Sequence, residues 1–169
     1  MINFDRGKFD SSIGFLLDMN GEFTFINDFD FESNSATGFS VFKNKSVKDY
    51  EVFDDPNSFD ALLLKIKKVK PKSKLSISID SMTDLIKTAS ETFPLIVVHR
   101  EKIDSETCWI GKIVEIKKKS FLMRAIDTNA EWEEHFTKVA FKDVTKIDFG
   151  NGYENALILV ADYREKRKP

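Results

Sequence analysis

Three carboxylates alternate along one predicted strand, and their type and spacing come closest to a metal site. Asp28, Asp30 and Glu32 would lie on one strand face, with Phe29 and Phe31 on the other. Carboxylate oxygens are ligands that calcium prefers. No glycine turn or spaced ligand loop accompanies them, and such alternation is typical of any strand with one solvated face. We therefore favour a solvated face and expect no metal site and no cofactor.

Residues suited to nucleophilic or histidine-based catalysis are scarce. His99 and His135 are the only histidines, which excludes a multi-histidine metal site. Cys108, the single cysteine, begins an apolar Cys-Trp-Ile run, so we expect a buried, inert thiol. The sequence has no nucleophile elbow, glycine-rich phosphate loop or Cys-x-x-Cys pair. We expect no enzymatic activity; the alternative is a pocket in which carboxylates such as Asp127 and Asp148 converge.

A tryptophan among acids is the strongest candidate for contact with a partner. Trp132 stands between Glu131 and Glu133 in a segment that we predict to be a loop. Exposed aromatic residues on loops are enriched at interaction sites. The same side chain could instead fold back and cap a small core, and we favour this second interpretation. The candidate partner-binding residues are Trp132, Glu131, Glu133, Asp28 and Asp30.

A run of six lysines without an acid gives residues 61–75 a net charge of +6, whereas residues 1–60 carry −7 and residues 76–169 carry −1. The acidic first part would repel phosphate backbones. No aromatic residue is interleaved with the lysines for base stacking. We favour a solvated helix end and linker over a site for phosphate or an acidic partner. The lysines are Lys65, Lys67, Lys68, Lys70, Lys72 and Lys74.

The length and composition are those of a globular protein. A chain of 169 residues fits one ordinary domain or two small ones, and 41% hydrophobic with 32% charged residues excludes disorder of the whole chain. Eleven of the 16 phenylalanines fall in residues 1–60, where they should supply much of the core. No apolar stretch approaches the roughly 20 residues of a membrane span, and the first ten residues do not resemble a signal peptide. We expect a cytoplasmic protein with no membrane association.

Two segments of the chain match when one is moved 97 residues along the other. Gly14 matches Gly111, and each glycine is followed by an apolar run and a short polar turn. Phe23 then matches Phe121, one residue out of step, and the offset returns to 97 over residues 136–147. This pattern indicates an internal duplication with copies of about 55 residues.

Each copy has the pattern of a small β-rich unit that ends in a helix. Asn20-Gly21 between apolar runs predicts a hairpin turn, and variable loops are predicted at Asn27–Gly38 and Asp127–His135. The copies close with apolar residues at helical spacing. Between them, a capping box at Ser81-Met82-Thr83-Asp84 opens a helix with an apolar stripe. The stripe consists of Met82, Leu85, Ile86 and Ala89.

These elements predict an α+β, mainly β fold with two units. Residues 1–75 would form the first small β-barrel unit with a closing helix. Residues 76–169 would form the second unit, with a helix at 81–92, a strand at 94–101 and a barrel at 108–162. Barrel closure hides the edges of short strands.

Three stretches of the second copy resemble uncharacterised bacterial proteins whose halves are SH3-like or Sm-like barrels. They are Trp109-Ile110-Gly111, the run from Ile126 to Trp132, and the run from Phe141 to Gly150. The resemblance covers about 60 residues of the second copy well and the first copy loosely. It implies two related SH3-like/Sm-like barrels in tandem with short amphipathic helices, and it implies no activity.

The resemblance to Sm proteins also allows a comparison with their RNA site. Those that bind RNA place an Asp and an Asn in one loop and an Arg-Gly pair in a later one; Asp127 and Asn129 match the first pair. The second is replaced by Asp148-Phe149-Gly150, which has no arginine to stack on a base and balance phosphate charge. This departure disfavours RNA binding.

The sequence therefore favours a non-enzymatic binding protein whose partner is another protein. The acidic first part suits a basic partner, and one version is an immunity-type protein that covers the active site of a basic toxin. The alternative is an Sm-like nucleic-acid-binding protein that uses the lysine run with Asp127 and Asn129. The sequence does not determine the oligomeric state.

Overall fold

The computed structural model describes residues 1–72 and 75–167, so Lys74 of the lysine run lies outside the described residues. The described residues form ten β-strands and three α-helices, which confirms the α+β, mainly β class. The chain divides into two compact units, Met1–Leu75 and Ser76–Pro169. We call them unit 1 and unit 2.

Unit 1 is an antiparallel sheet followed by a helix. The strand order is β5-β1-β2-β3-β4, so the first strand pairs with both the second and the fifth. A turn at residues 20–22 joins β2 to β3, as the Asn-Gly signal predicts, and Asn20 N–H donates to the Phe23 carbonyl. The elements are β1 (Ile2–Asp5), β2 (Ser12–Met19), β3 (Phe23–Asp30), β4 (Ser35–Lys43), β5 (Asp49–Val52) and α1 (Phe59–Lys67).

Aromatic side chains fill the interior of unit 1, as the clustering of phenylalanine in residues 1–60 predicts. Phe4, Ile26 and Phe42 form a buried cluster, with Ile2 and Val47 packed against it. The rings of Phe4 and Phe42 meet edge to face with centroids 5.2 Å apart, a preferred geometry for aromatic pairs.

Unit 2 has a helix, five antiparallel strands and a closing helix. Its strand order is β10-β6-β7-β8-β9. The elements are α2 (Met82–Thr92), β6 (Ile96–His99), β7 (Cys108–Lys117), β8 (Ser120–Ile126), β9 (Trp132–Ala140), β10 (Lys146–Phe149) and α3 (Gly152–Glu165).

Capping motifs start the first and the last helix of unit 2. The Ser81 hydroxyl accepts a hydrogen bond from Asp84 N–H at 3.1 Å and starts α2. The predicted apolar stripe of α2 is confirmed, because all four of its residues are buried. At the other end, Asn151 and Glu154 form a capping box that starts α3. The core beneath α3 consists of Leu95, Ile126, Ala130, Leu157 and Ala161.

The strands of the two units agree in their order and in most of their register. A bulge lies between Leu16 and Asp18 in unit 1 and between Ile113 and Glu115 in unit 2, 97 residues later. A second register shift follows Asn27 in the β3–β4 pairing and Arg124 in the β8–β9 pairing, again 97 residues apart, and its extra residues lie in β4 and β9. Beyond it the registers differ by one residue, because Phe29 pairs with Ala36 whereas Ile126 pairs with Trp132. Bounds of β4 and β9 also differ by 97 at both ends.

The one-residue shift that the matched phenylalanines suggest is wrong. Phe23 pairs with Lys43, and Ser120 pairs with Ala140, so the constant offset of 97 makes Ser120 the counterpart of Phe23. Phe121 therefore corresponds to the next residue of unit 1 and not to Phe23. Similarity of residue type had placed the match one position too late.

The first variable-loop prediction is wrong over most of its length, and the second is wrong over its last four residues. Strands β3 and β4 occupy most of Asn27–Gly38, which leaves residues 31–34 as the turn. Strand β9 begins at Trp132, so Asp127–His135 contains a loop only at residues 127–131, and His135 lies within the strand. The strand ends carry polar residues, which hide the alternation on which a strand prediction depends.

The closing helices form where predicted, but much of their apolar surface faces solvent. In α1, Phe59 is 78% exposed and Ile66 is 76% exposed. In α3, Leu157 is buried, whereas Tyr153 is 50% exposed and Leu159 is 71% exposed. Both units thus leave apolar helix surface uncovered by the described residues of the chain.

Candidate functional site

Trp132 is half-buried at the start of β9 and contributes to the core of unit 2. It pairs with Ile126 and packs against the cluster beneath α3. Two cations also lie over its ring, with Lys112 Nζ at 4.7 Å and Arg124 Cζ at 5.6 Å from the centroid. The placement of Trp132 in a loop is wrong, because the strand starts at this residue.

The loop at residues 127–131 is ordered by its own first side chain. Asp127 Oδ1 accepts hydrogen bonds from the backbone N–H of Asn129 at 2.9 Å and of Glu131 at 2.8 Å. The hydrogen bond from Glu131 N–H is the main reason why the pKa of Asp127 is lowered from its ordinary value. The Asp127 side chain therefore remains ionised across the neutral pH range, and Asn129 uses its N–H within the same loop.

The acids beside Trp132 differ in their surroundings. Glu131 is exposed and forms an ion pair with Arg164 of α3 at 3.6 Å. The Arg164 guanidinium also donates to the Asn129 carbonyl, which ties the loop to the helix. Glu133 is exposed, and its backbone carbonyl accepts a hydrogen bond from Arg124 Nε at 3.0 Å. That contact does not involve the Glu133 carboxylate.

A cleft of about 370 Å³ opens in unit 2 between the strand ends, the 127–131 loop and the start of α3; we call it the larger cleft. Its walls are mainly apolar, with Trp109 and Ile110 from β7 and Tyr153 from α3. Its acidic side chains are those of Asp127 and Glu133. The remaining lining residues are Cys108, Ala125, Ile126, Thr128 and Leu157.

A second cleft of about 220 Å³ continues along α3; we call it the smaller cleft. The two clefts share Thr128, Tyr153 and Leu157, so Tyr153 stands where they meet. The smaller cleft is otherwise lined by Asn129, Ala130, Ala156 and Val160 and contains no ionisable side chain except the Tyr153 phenol. Together the clefts form one apolar surface with acids at one end.

Cys108 lies at the edge of the larger cleft and is exposed, so the expectation of a buried thiol is wrong. Its pKa is nevertheless raised, first by desolvation and then by the Asp148 carboxylate. The thiol is therefore protonated at neutral pH, which is the opposite of what a nucleophilic cysteine needs.

A polar cluster beside Cys108 joins β6 to β10. His99 pairs across β6 and β7 with Cys108, and its Nε2 lies 2.7 Å from Asp148 Oδ2. Lys146 Nζ lies 3.0 Å from the same carboxylate oxygen. Thr145 donates to the His99 carbonyl through its hydroxyl at 3.1 Å. His99 has the hydrogen-bonded environment expected of a polar residue inside a domain, and the cluster holds the strands together.

Two of the candidate acids of unit 1, Asp28 and Asp30, accept hydrogen bonds from neighbouring residues. Asp28 Oδ2 accepts a hydrogen bond from the Ser40 hydroxyl at 2.8 Å. Asp30 accepts from the Ser33 hydroxyl at 2.6 Å and from Glu32 N–H at 2.9 Å, and the Ser33 hydrogen bond is the main cause of its lowered pKa. Glu32 lies in the turn and not on the strand face. No group of three His, Cys, Asp or Glu side chains able to hold a metal occurs within residues 1–72 and 75–167.

The described lysines of the basic run are all exposed. Lys65 and Lys67 end α1, and Lys68 adopts a left-handed conformation just beyond it. Lys72 donates its backbone N–H to Asn27 Oδ1 at 2.7 Å and places its ammonium 5.6 Å from the Phe39 ring centroid. The run is thus a helix end followed by a segment that lies against the sheet of unit 1. The exposed members are Lys65, Lys67, Lys68, Lys70 and Lys72.

Sequence reasoning missed the clefts because their linings come from separate stretches of unit 2. Apolar spacing in the last copy groups Tyr153, Ala156, Leu157 and Val160 on one helix face, but of these only Leu157 is buried. The buried face is instead that of Glu154, Leu157 and Ala161, and a carboxylate is not a recognisable core residue. These three residues are spaced three and then four positions apart, and this helical spacing is the signal that could have shown which face of α3 is buried.

No protein-family model matches the chain, and no curated protein or solved structure matches it. Among the described residues, none of the helices is both long enough and apolar enough to span a membrane.

Proposed function

We propose that this chain is a non-enzymatic interaction protein that binds a protein partner through the two clefts of unit 2. The observation that carries the proposal is the position of Tyr153, which is half-exposed and lines both clefts. Val160 extends the same surface and is 43% exposed. Aromatic side chains in apolar clefts are the usual anchors of protein interfaces, and apolar surface along a helix that remains uncovered is a feature of interaction sites.

The groups around the clefts support binding better than chemistry. The thiol of Cys108 has a raised pKa, and the His99 imidazole hydrogen-bonds to a carboxylate that also contacts Lys146. These contacts stabilise fixed charges and do not activate a nucleophile. An immunity-type protein that covers the active site of a basic toxin is one form that this function would take.

We also propose that the two units arose by tandem duplication and that each sheet curls into a small SH3-like or Sm-like barrel. The common strand order and the bulges at an offset of 97 support this proposal. Bulges bend and twist the strands that contain them, and bulges at defined positions are a device for curving and closing a small sheet.

Affinity capture from the source cells tests the binding function. Tyr153→Ser should lower recovery of the partner at least roughly tenfold, because aromatic interface anchors contribute about 2 kcal/mol or more. Val160→Ser should lower recovery by a smaller factor, since Val160 lines only the smaller cleft. Leu159→Ser is the matched control, since Leu159 lies on the same helix and is 71% exposed but lines neither cleft. Equal recovery by all three variants and the wild type would remove the proposed site.

Nucleic-acid binding is a second candidate because the described lysines of the basic run are all exposed. A cationic segment of this kind can track a phosphate backbone. However, Asn129 N–H is hydrogen-bonded to Asp127, and Asp127 remains ionised in this loop. These contacts favour the protein partner over RNA at the Asp127–Asn129 pair.

A further inference from the structure

The partner's chemistry can be inferred from the charges of the larger cleft, on the assumption that the proposed binding function is correct. Asp127 and Glu133 line this cleft, and none of its described lining residues is Lys, Arg or His. Residues 127–134 carry four acids and no base. The cleft therefore has a negative end, and complementary charge is what an interface selects.

Neighbouring cations reduce this negative charge only in part. Arg164 pairs with Glu131 and donates to the Asn129 carbonyl, so Glu131 is largely neutralised. Arg124 hydrogen-bonds to the backbone carbonyl of Glu133 and not to its carboxylate. Arg164 also acts electrostatically on Asp127, whose Oδ1 accepts from the loop N–H groups, and Arg100 lies against Trp109. Asp127 and Glu133 are nevertheless exposed, so they are the acids that a ligand in the larger cleft would meet.

The apolar walls of the larger cleft suit the stem of a long cationic side chain. Trp109 and Ile110 can cover methylene groups, while the two carboxylates receive the charged end. Tyr153 presents an aromatic ring at the junction of the clefts, and cations bind favourably over such rings. Unit 2 already uses this contact internally, because Arg100 Cζ lies 3.4 Å from the centroid of a Trp109 ring.

Arginine fits this combination better than lysine does. Its planar guanidinium can donate to two separate carboxylates and stack on a ring at the same time. A lysine ammonium is a compact, strongly hydrated charge that loses more on entering an apolar cleft.

The smaller cleft indicates the residue beside that arginine. Ala130, Ala156 and Val160 line it, and it has no charged side chain. Because the clefts meet at Tyr153, a partner with an arginine in the larger cleft would place a nearby apolar side chain in the smaller one.

We propose that the larger cleft receives an arginine side chain of the protein partner, and that the smaller cleft receives an apolar residue close to it in sequence. The partner is thus a basic protein with an exposed segment that combines arginine and an apolar residue.

Titration of the full ¹⁵N-labelled chain with short capped peptides tests this proposal. The first peptide carries one arginine and one leucine separated by glycine, and the second has citrulline in place of arginine. Citrulline keeps the shape and removes the charge. The arginine peptide should shift the amide resonances of residues 108–110, 127–133 and 153–160, and citrulline should weaken binding at least roughly tenfold because charged hydrogen bonds are lost.

Variants of the cleft acids give the second arm of the test. Asp127→Asn keeps an oxygen acceptor for the loop N–H groups, and Glu133→Gln is isosteric. Each substitution should weaken binding of the arginine peptide at least roughly tenfold. Glu134→Gln removes the same charge from the next residue, which does not line the cleft, and should change the Kd less than about twofold. If Asp127→Asn fails to fold, Glu133→Gln carries the test.

The outcomes separate this inference from the proposed function. Equal binding of both peptides, with loss in Tyr153→Ser, would overturn the arginine assignment and leave the protein-binding site intact. Equal losses in Glu133→Gln and Glu134→Gln, or no shift of the cleft resonances by the arginine peptide, would also overturn the assignment. The proposed function would then be judged by the capture experiment alone.

Discussion

Gly14 and Gly111 occupy the same position in the two units, and each is packed directly against the backbone of the next strand. A Cβ at Gly14 would overlap the Asn27 carbonyl, and a Cβ at Gly111 would overlap the Arg124 carbonyl. Gly111 lies 97 residues after Gly14, and Arg124 lies 97 residues after Asn27. The shared spacing thus reflects a shared close approach of two strands, for which only glycine has room.

Alanine at either glycine should destabilise its unit. Because the neighbour is backbone and cannot rotate away, we expect Gly14→Ala and Gly111→Ala each to lower the free energy of unfolding by about 1–3 kcal/mol or more. Gly21→Ala is the control, since a Cβ there meets nothing within 4 Å. Urea unfolding measures the differences, and two variants as stable as Gly21→Ala would refute the close packing.

The orientation of α3 is tested by two leucines on the same helix. Leu157 is 5% exposed and belongs to the core cluster, so Leu157→Ala should cost about 2–5 kcal/mol. Leu159 is exposed, so Leu159→Ala should change stability by less than about 0.5 kcal/mol. Thermal and urea unfolding report both values. A reversed order would mean that α3 presents a different face to the sheet.

The buried carboxyl of Glu154 should make stability depend on pH. Desolvation is the main cause of its raised pKa, and Asp148 adds to it. At pH values just above the ordinary pKa of 4.5, the folded state therefore binds more protons than the unfolded state does. The contribution of Glu154 to the free energy of unfolding consequently falls as the pH rises through this range. Glu154→Gln keeps the hydrogen-bond acceptor for Asn151 N–H and removes the charge. As the pH rises from about 4 to about 7, the stability of this variant relative to the wild type should increase, and urea unfolding measures the difference. If the difference between the two free energies of unfolding does not change with pH, desolvation of Glu154 is not the cause.

The lysine run tests the nucleic-acid alternative. If the protein-partner account is correct, the wild type should not shift RNA in a gel at low salt. A variant with the described lysines of the run changed to Gln should also be retained on heparin about as strongly as a control variant. The changed residues are Lys65, Lys67, Lys68, Lys70 and Lys72. The control changes Lys102, Lys138 and Lys142, which are exposed lysines of unit 2, to Gln. A salt-sensitive RNA shift that only the first variant abolishes would establish the alternative.

Sequence signals located the regular elements best where side-chain alternation and turn chemistry agreed. The Asn20-Gly21 turn, the capping box at Ser81 and the stripe of α2 are such places. The first four residues of β9 were missed, because they combine one tryptophan with polar and charged neighbours. Pairing with β8 holds them in a strand although their own pattern favours a loop.

The candidate site was harder to predict than the fold. Trp132 attracted attention as a lone aromatic among acids, but it is packed into the core, and the exposed aromatic of the site is Tyr153. Which side of a helix faces the core depends on tertiary packing, and in α3 the buried Glu154 disguised it. Among the residues that the sequence analysis proposed for binding a partner or nucleic acid, Glu133 and Asp127 line the larger cleft, and they were named for different reasons.

Alkylation of Cys108 tests occupancy of the larger cleft most directly. It is the only cysteine in the chain, it is exposed at the cleft, and its raised pKa makes its reaction with iodoacetamide slow enough to follow at pH 8. We predict that the arginine–leucine peptide slows the alkylation in a saturable manner, that the citrulline peptide does so only at much higher concentration, and that Glu134→Gln responds as the wild type does. A rate that saturating arginine peptide leaves unchanged would contradict the claim that this cleft binds a basic protein partner.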